Sequence, residues 1–238
     1  MSREFKIVHE GEVPGAPEQA WEAMTTGIGG WLWPMEIEGR EGGSAAEVGV
    51  VTVWDPPHRL VTRMDGEDGW FNQLETVIES RPGGRAWLRY VHSGVFLEDW
   101  DNQYDGASKH TVFYMATMRQ YIQHFSGKPV TYASGDGPEA AKAPDALGAL
   151  LAKLGLGVSD GEGTAVRIAV PGLGTQEGVV DYRDDNFIGV RTSEALIRFF
   201  GRNAFGAAVG FAVHDFGGKV EQAKLQDAWQ AWIDSVYA

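Results

Sequence analysis

Phe71-Asn-Gln-Leu-Glu-Thr-Val-Ile-Glu-Ser80, Arg81-Pro-Gly-Gly84 and Arg85-Ala-Trp-Leu-Arg-Tyr-Val-His-Ser93 are two alternating runs joined by a strong turn sequence. In the second run Ala86, Leu88, Tyr90 and His92 fall on one face, and Arg85, Trp87 and Arg89 on the other. Such alternation is the mark of a strand with one face on a core and one in water. In the first run Leu74, Thr76 and Ile78 oppose Glu75, Val77 and Glu79, so the first three are expected to face inward. Two further strand candidates precede the pair, Val48 to Trp54 and Arg59 to Met64, separated by Asp55-Pro-Pro57 and Asp65-Gly-Glu-Asp-Gly69. Short strands joined in order by tight turns predict an antiparallel meander.

Upstream, Phe5, Ile7 and Glu10 to Val13 read as an opening strand stopped by Pro14-Gly15. Pro17 to Met24 reads as a short helix with proline in its first turn. Downstream, Ser108 to Phe125 carries Met115, Met118, Ile122 and Phe125 at helical spacing, with Thr111 and Tyr114 extending the stripe. A curved sheet cannot bury its concave face alone, and a long amphipathic helix laid across it does so. The order strand, helix, antiparallel strands, long helix therefore predicts an α+β helix-grip over residues 1–128.

Residues 129–145 have the composition of a linker. Asp145 is placed to cap a short helix through Leu154, ended by Gly155-Leu-Gly157. Strand candidates follow at Thr164 to Val170, Gly178 to Tyr182, Phe187 to Arg191, Ala195 to Gly201 and Ala207 to His214. A last helix, Lys219 to Tyr237, is striped by Leu225, Trp229, Trp232 and Val236. Residues 146–238 thus read as a second, smaller α+β half. It is expected to be a degenerate repeat, a truncated helix-grip lacking the opening strand and helix. A single enlarged domain and an unrelated α+β module are the alternatives.

Composition narrows the function. The 238 residues are 43% hydrophobic and 22% charged, ordinary for a globular chain, and include 9 Trp and 32 Gly. There is no Cys, which excludes disulfides, thiolate metal sites and a cysteine nucleophile. Net charge is −13, from 33 acidic and 20 basic side chains. Such a surface repels nucleic acid and anionic membranes. The longest apolar stretch, Ala204 to Val213, is too short to span a bilayer, and Met1 to Glu12 has no apolar signal region. A soluble cytoplasmic protein without membrane insertion or nucleic-acid partner is expected.

Several pieces of the first half, in this order, resemble a known family: Ala20-Trp21-Glu-Ala-Met24, Trp31-Leu-Trp33-Pro34, Gly42-Gly43, and Val53-Trp-Asp-Pro-Pro-His-Arg-Leu60. His92-Ser-Gly94, Trp100 and Tyr114-Met-Ala-Thr-Met-Arg-Gln-Tyr121 complete the pattern. Together they resemble the SRPBCC (START-like) superfamily, in the branch named for the activator of Hsp90 ATPase. The resemblance implies a helix-grip with a hydrophobic cavity. It fixes function poorly, since members include lipid carriers, cyclases and stress proteins.

The expected cavity wall consists of Trp31, Trp33, Trp54, Trp70, Leu74, Thr76, Leu88, Tyr90 and His92, with Tyr114, Met115, Met118 and Ile122 from the helix. An apolar and aromatic wall with a few polar points is the make-up of a small-molecule site. Taken singly, each Trp or Met has core filling as its default role. His92 beside Tyr90 could serve as an acid or base near neutral pH, but a neutral histidine bonded to a hydroxyl is the commoner arrangement. His9, His58, His110, His124 and His214 show no metal-ligand spacing, so no zinc site is expected. Glu98 to Asp105 fails the EF-hand pattern and reads as a solvated acidic loop. Gly155-Leu-Gly157 and Gly172-Leu-Gly174 are turns outside any βαβ unit. No cofactor is expected. Three readings stand: a binder of an apolar or aromatic small molecule or lipid without covalent chemistry, a chaperone-associated interaction module, and a cyclase- or hydrolase-like enzyme using Tyr90 and His92.

Overall fold

The computed structural model describes residues 3–238. The chain divides into two compact units, the first ending at Gly127 and the second running Lys128–Ala238.

The first unit contains β1 (Arg3–Val13), α1 (Pro17–Met24), β2 (Ser44–Ala45), β3 (Gly49–Asp55), β4 (Arg59–Asp65), β5 (Phe71–Arg81), β6 (Arg85–Phe96) and α2 (Trp100–His124). Its strands form one six-stranded sheet in the order β1-β6-β5-β4-β3-β2. Every pairing is antiparallel. The β5–β6 hairpin turns at Gly83 and Gly84, whose φ values of +82° and +70° lie where only glycine is unstrained. Register then sets Leu74 opposite His92 and Thr76 opposite Tyr90, on the inward face. α2 begins at Trp100, about two turns before the expected start. The acidic stretch read as a loop forms its first turns: the Gln103 amide donates to the Asp99 carbonyl, and Lys109 pairs with Asp105 at 2.8 Å. Negative charge in a first turn favours the helix through its dipole.

α2 packs on β1 and α1, while α1 packs on β5 and β6. A glycine in the turn after α1 lets that turn approach α2 closely. A Cβ on Gly30 would fall on the Tyr121 ring. Tyr121 donates its hydroxyl hydrogen to Glu22 at 2.9 Å, and Ser126 donates to the same carboxylate. Burial first, and then Glu22, push the Tyr121 hydroxyl up to about 12. These contacts hold the turn Ile28–Gly30 and the start of the Trp31–Pro34 segment against α2.

The second unit contains β7 (Thr131–Asp136), α3 (Ala146–Leu154), β8 (Ala165–Val170), β9 (Gly174–Arg183), β10 (Phe187–Thr192), β11 (Ala195–Phe200), β12 (Gly210–Asp215) and α4 (Gln222–Asp234). Its sheet order is β7-β12-β11-β10-β9-β8, the same permutation as in the first unit. This corrects the expected linker at 129–145 and the expected truncation of the repeat. Thr131–Asp136 is the opening strand, paired along its whole length with β12, and α3 follows as the opening helix. Tyr132-Ala-Ser-Gly-Asp136 is rich in turn formers, and only its partner strand makes it extended. Asp145 does stand at the start of α3, but its side chain makes no capping hydrogen bond. Leu225, Trp229, Trp232 and Ile233 of α4 are buried with Phe199, Phe211 and Leu150 in one core. Among the described residues no helix is long and apolar enough to cross a membrane.

Candidate functional site

In the first unit α2 stands away from the middle of the sheet and leaves a cavity of about 400 Å³. Its floor is the inward face of three strands: Leu60 and Thr62 on β4, Asn72, Leu74 and Thr76 on β5, Tyr90 and His92 on β6. Its roof is α2, through Ala107, His110, Thr111, Tyr114 and Met115. Met24, Ile28 and Trp31 close one side, and Trp33, Met35, Ile37 and Val48 come from the irregular segment before β3.

Trp31 is 3% exposed and donates its indole N–H to the Ala23 carbonyl at 2.7 Å, which makes it a fixed wall. Trp33 is 49% exposed and Val48 70%, so these two form an apolar rim. The Trp33 ring meets Tyr114 edge to face, centroids 6.1 Å apart. An amphipathic tryptophan half in water beside an apolar opening is a natural entry contact for a hydrophobic molecule.

The polar groups gather on the floor. His92 donates Nε2–H to Asn72 Oδ1 at 3.1 Å, since the amide oxygen can only accept. Its ring also meets Phe5 edge to face at 4.9 Å. Burial pushes the His92 imidazole down to about 4, so it is neutral at physiological pH. Burial, and secondarily the neighbouring Tyr114, push the Tyr90 hydroxyl well above its usual range. On the roof, His110 donates Nδ1–H to the Gly106 carbonyl at 2.7 Å, and the Thr111 hydroxyl donates to the Ala107 carbonyl. Arg63, also on the lining, is paired with Asp65 at 2.8 Å and lies over the Phe71 ring. Among the described residues no group of three or more acidic or histidine side chains is placed to hold a metal ion.

Eight of the residues expected on the wall meet here: Trp31, Trp33, Leu74, Thr76, Tyr90, His92, Tyr114 and Met115. The other five do not line the cavity, which corrects the expectation for them. Trp54 packs edge to face on Trp21 of α1, centroids 4.9 Å apart, in a small cluster with Val51 and Leu60. Trp70 sits in the β4–β5 connection, its ring against Gly66. Leu88, Met118 and Ile122 are buried, at 1%, 0% and 5% exposed, and lie outside the lining. Alternation shows which face points inward, not how far along it packing closes. The hydroxyl partner expected for His92 is instead the Asn72 amide. Asn72 was within reach of the sequence, because it continues the inward alternation of Leu74, Thr76 and Ile78 by two residues; Thr62 joins it through its register opposite Leu74. Met35, Ile37 and Val48 come from irregular chain that carries no periodic signal.

The strand permutation and closing helix make each unit a helix-grip. No protein-family model matches the chain, and no curated protein matches it. Among solved structures, it is similar to protein MLL2253 from Mesorhizobium loti, at 20% identity over 51% of this chain and 99% of that one, with a TM-score of 0.43. DynU16, of the dynemicin biosynthetic locus, is similar over 98% of this chain and 95% of its own, at 12% identity and a TM-score of 0.42. The Aha1 dimer from Colwellia psychrerythraea is similar over 50% of this chain and 96% of its own, at 18% identity and a TM-score of 0.38.

Proposed function

We propose that the first unit binds an apolar or aromatic small molecule between sheet and α2, without covalent chemistry. The observation that carries this reading is the cavity of about 400 Å³ with its rim of exposed Trp33 and Val48. A space of that size lies in the range of small-molecule sites, and its wall is mainly apolar with a few polar points. The resemblance of the first half to the SRPBCC superfamily supports the same use. His92 argues for binding over acid–base chemistry. A histidine pushed down to about 4 stays neutral around pH 7, where a general base should be near its own titration.

The test is to fill the space. Leu74 lines the cavity floor in the first half of β5. Leu74→Trp is expected to lower the affinity for hydrophobic ligands found by native mass spectrometry at least tenfold. Overpacking should cost no more than about 1–3 kcal/mol of stability. Equal ligand binding by a folded Leu74→Trp chain would place the binding elsewhere and sink this reading.

A further inference from the structure

The polar floor also decides which ligands the cavity can accept, an inference that rests on the binding reading above. Arg63 is the one permanent charge on the lining among the described residues, and Asp65 and Gln73 engage it at 2.8 and 3.3 Å. No carboxylate lines the cavity among the described residues. His92 has its Nε2–H committed to Asn72, and Thr111 has its hydroxyl committed to the helix backbone. Tyr90 differs from these. It lines the cavity, and among the described residues none hydrogen-bonds its hydroxyl. A phenol in that position, protonated at neutral pH, is a donor waiting for an acceptor.

We propose that the cavity selects uncharged, largely apolar ligands carrying a hydrogen-bond acceptor such as a carbonyl oxygen, which the Tyr90 hydroxyl engages, and rejects the carboxylate of the same skeleton. A carboxylate entering this space gives up its water and meets uncharged side chains, an arginine already paired, and His110, whose Nδ1 is committed to the Gly106 carbonyl. A neutral carbonyl loses little water and satisfies a buried donor. Recognition of this kind separates aromatic ketones, quinone-like and ester-like molecules from fatty or aromatic acids.

Three probes of one shape test it on the intact chain at pH 7.5: 2-acetonaphthone, 2-naphthoate and 2-ethylnaphthalene, followed by quenching of tryptophan fluorescence. The ketone is expected to bind at least tenfold more tightly than the carboxylate. Tyr90→Phe is expected to weaken the ketone about three- to tenfold, one neutral hydrogen bond. The same variant should leave 2-ethylnaphthalene unchanged, which also shows that its cavity is intact. Naphthoate binding as well as the ketone overturns the charge selection while leaving the binding site standing. Unchanged ketone affinity in Tyr90→Phe overturns the role given to that hydroxyl. If none of the three binds, the binding reading itself falls with it.

Discussion

The two units thread six strands and a closing helix through one permutation, yet they treat the inward face of the sheet in opposite ways. In the first, the last two strands present the cross-strand pairs Leu74–His92 and Thr76–Tyr90 to a cavity. In the second, the corresponding strands carry Ile197–Val213 and Phe199–Phe211, and these are buried under Trp229 and Trp232. The helices differ accordingly. α4 packs on both edge strands of its sheet, β7 and β8, whereas α2 packs on the edge strand β1 and on α1. The space left in the second unit is a cleft of about 310 Å³ at the edge of that core, lined by Val213, Leu225 and Trp229 and by the charged Glu194, Asp215, Lys219 and Lys224. Lys219 and Glu194 pair across it at 2.5 Å. One topology thus yields an apolar chamber or a packed core, depending on whether the inward positions carry large aromatics that interdigitate.

This contrast is sharpest at Trp229, which is 2% exposed between Phe199, Phe211 and Trp232. Trp229→Ala is expected to cost about 3–5 kcal/mol in urea unfolding, because a packed core cannot collapse around so large a void. A loss below about 1 kcal/mol would show that the second unit is as loosely filled as the first.

His92 gives an effect of similar kind but dependent on pH. Its folded value of about 4 lies below the ordinary 6.5, so the unfolded chain binds the extra proton in that window. Stability is therefore complete above pH 6.5 and falls as pH drops towards 4. The loss from this one group is about 3 kcal/mol. Measured as unfolding free energy against pH, the chain should lose that much more than His92→Gln does. Parallel curves for the two proteins would mean that the imidazole is not desolvated by the cavity floor.

The smallest effect is expected at the rim. Trp33→Ala removes a half-exposed ring whose ordered contact is Tyr114, and should change stability by no more than about 1 kcal/mol. Its consequence should show in kinetics, as faster release of a bound aromatic probe in stopped-flow fluorescence. An unchanged release rate would remove Trp33 from the path of entry.

Much of the first unit was legible because its signals are local. The Arg81–Gly84 turn, the alternation of Leu74/Thr76 and Tyr90/His92, and the Met115/Met118 stripe each depend on neighbours in the chain. Of the five residues misplaced on the wall, Trp70 lies in the β4–β5 connection, and Trp54, Leu88, Met118 and Ile122 pack where contacts far apart in sequence close the inward face. Thr131–Asp136 was hidden for the same reason, since its extended form is imposed by β12, about 80 residues later.

By itself, then, the sequence determined most of the element types, the inward faces of β5 and β6, the helix-grip of the first half and the acidic, cysteine-free composition. Period and turn chemistry are properties of short segments, and they survive without knowledge of partners. Only the tertiary structure decided that the second half repeats the whole permutation. The same structure placed the cavity beside Tyr90 and His92, gave His92 an amide partner, and filled the corresponding inward positions of the second unit with Phe199, Phe211, Trp229 and Trp232. Those outcomes turn on volume, register and desolvation, which exist only once distant segments meet.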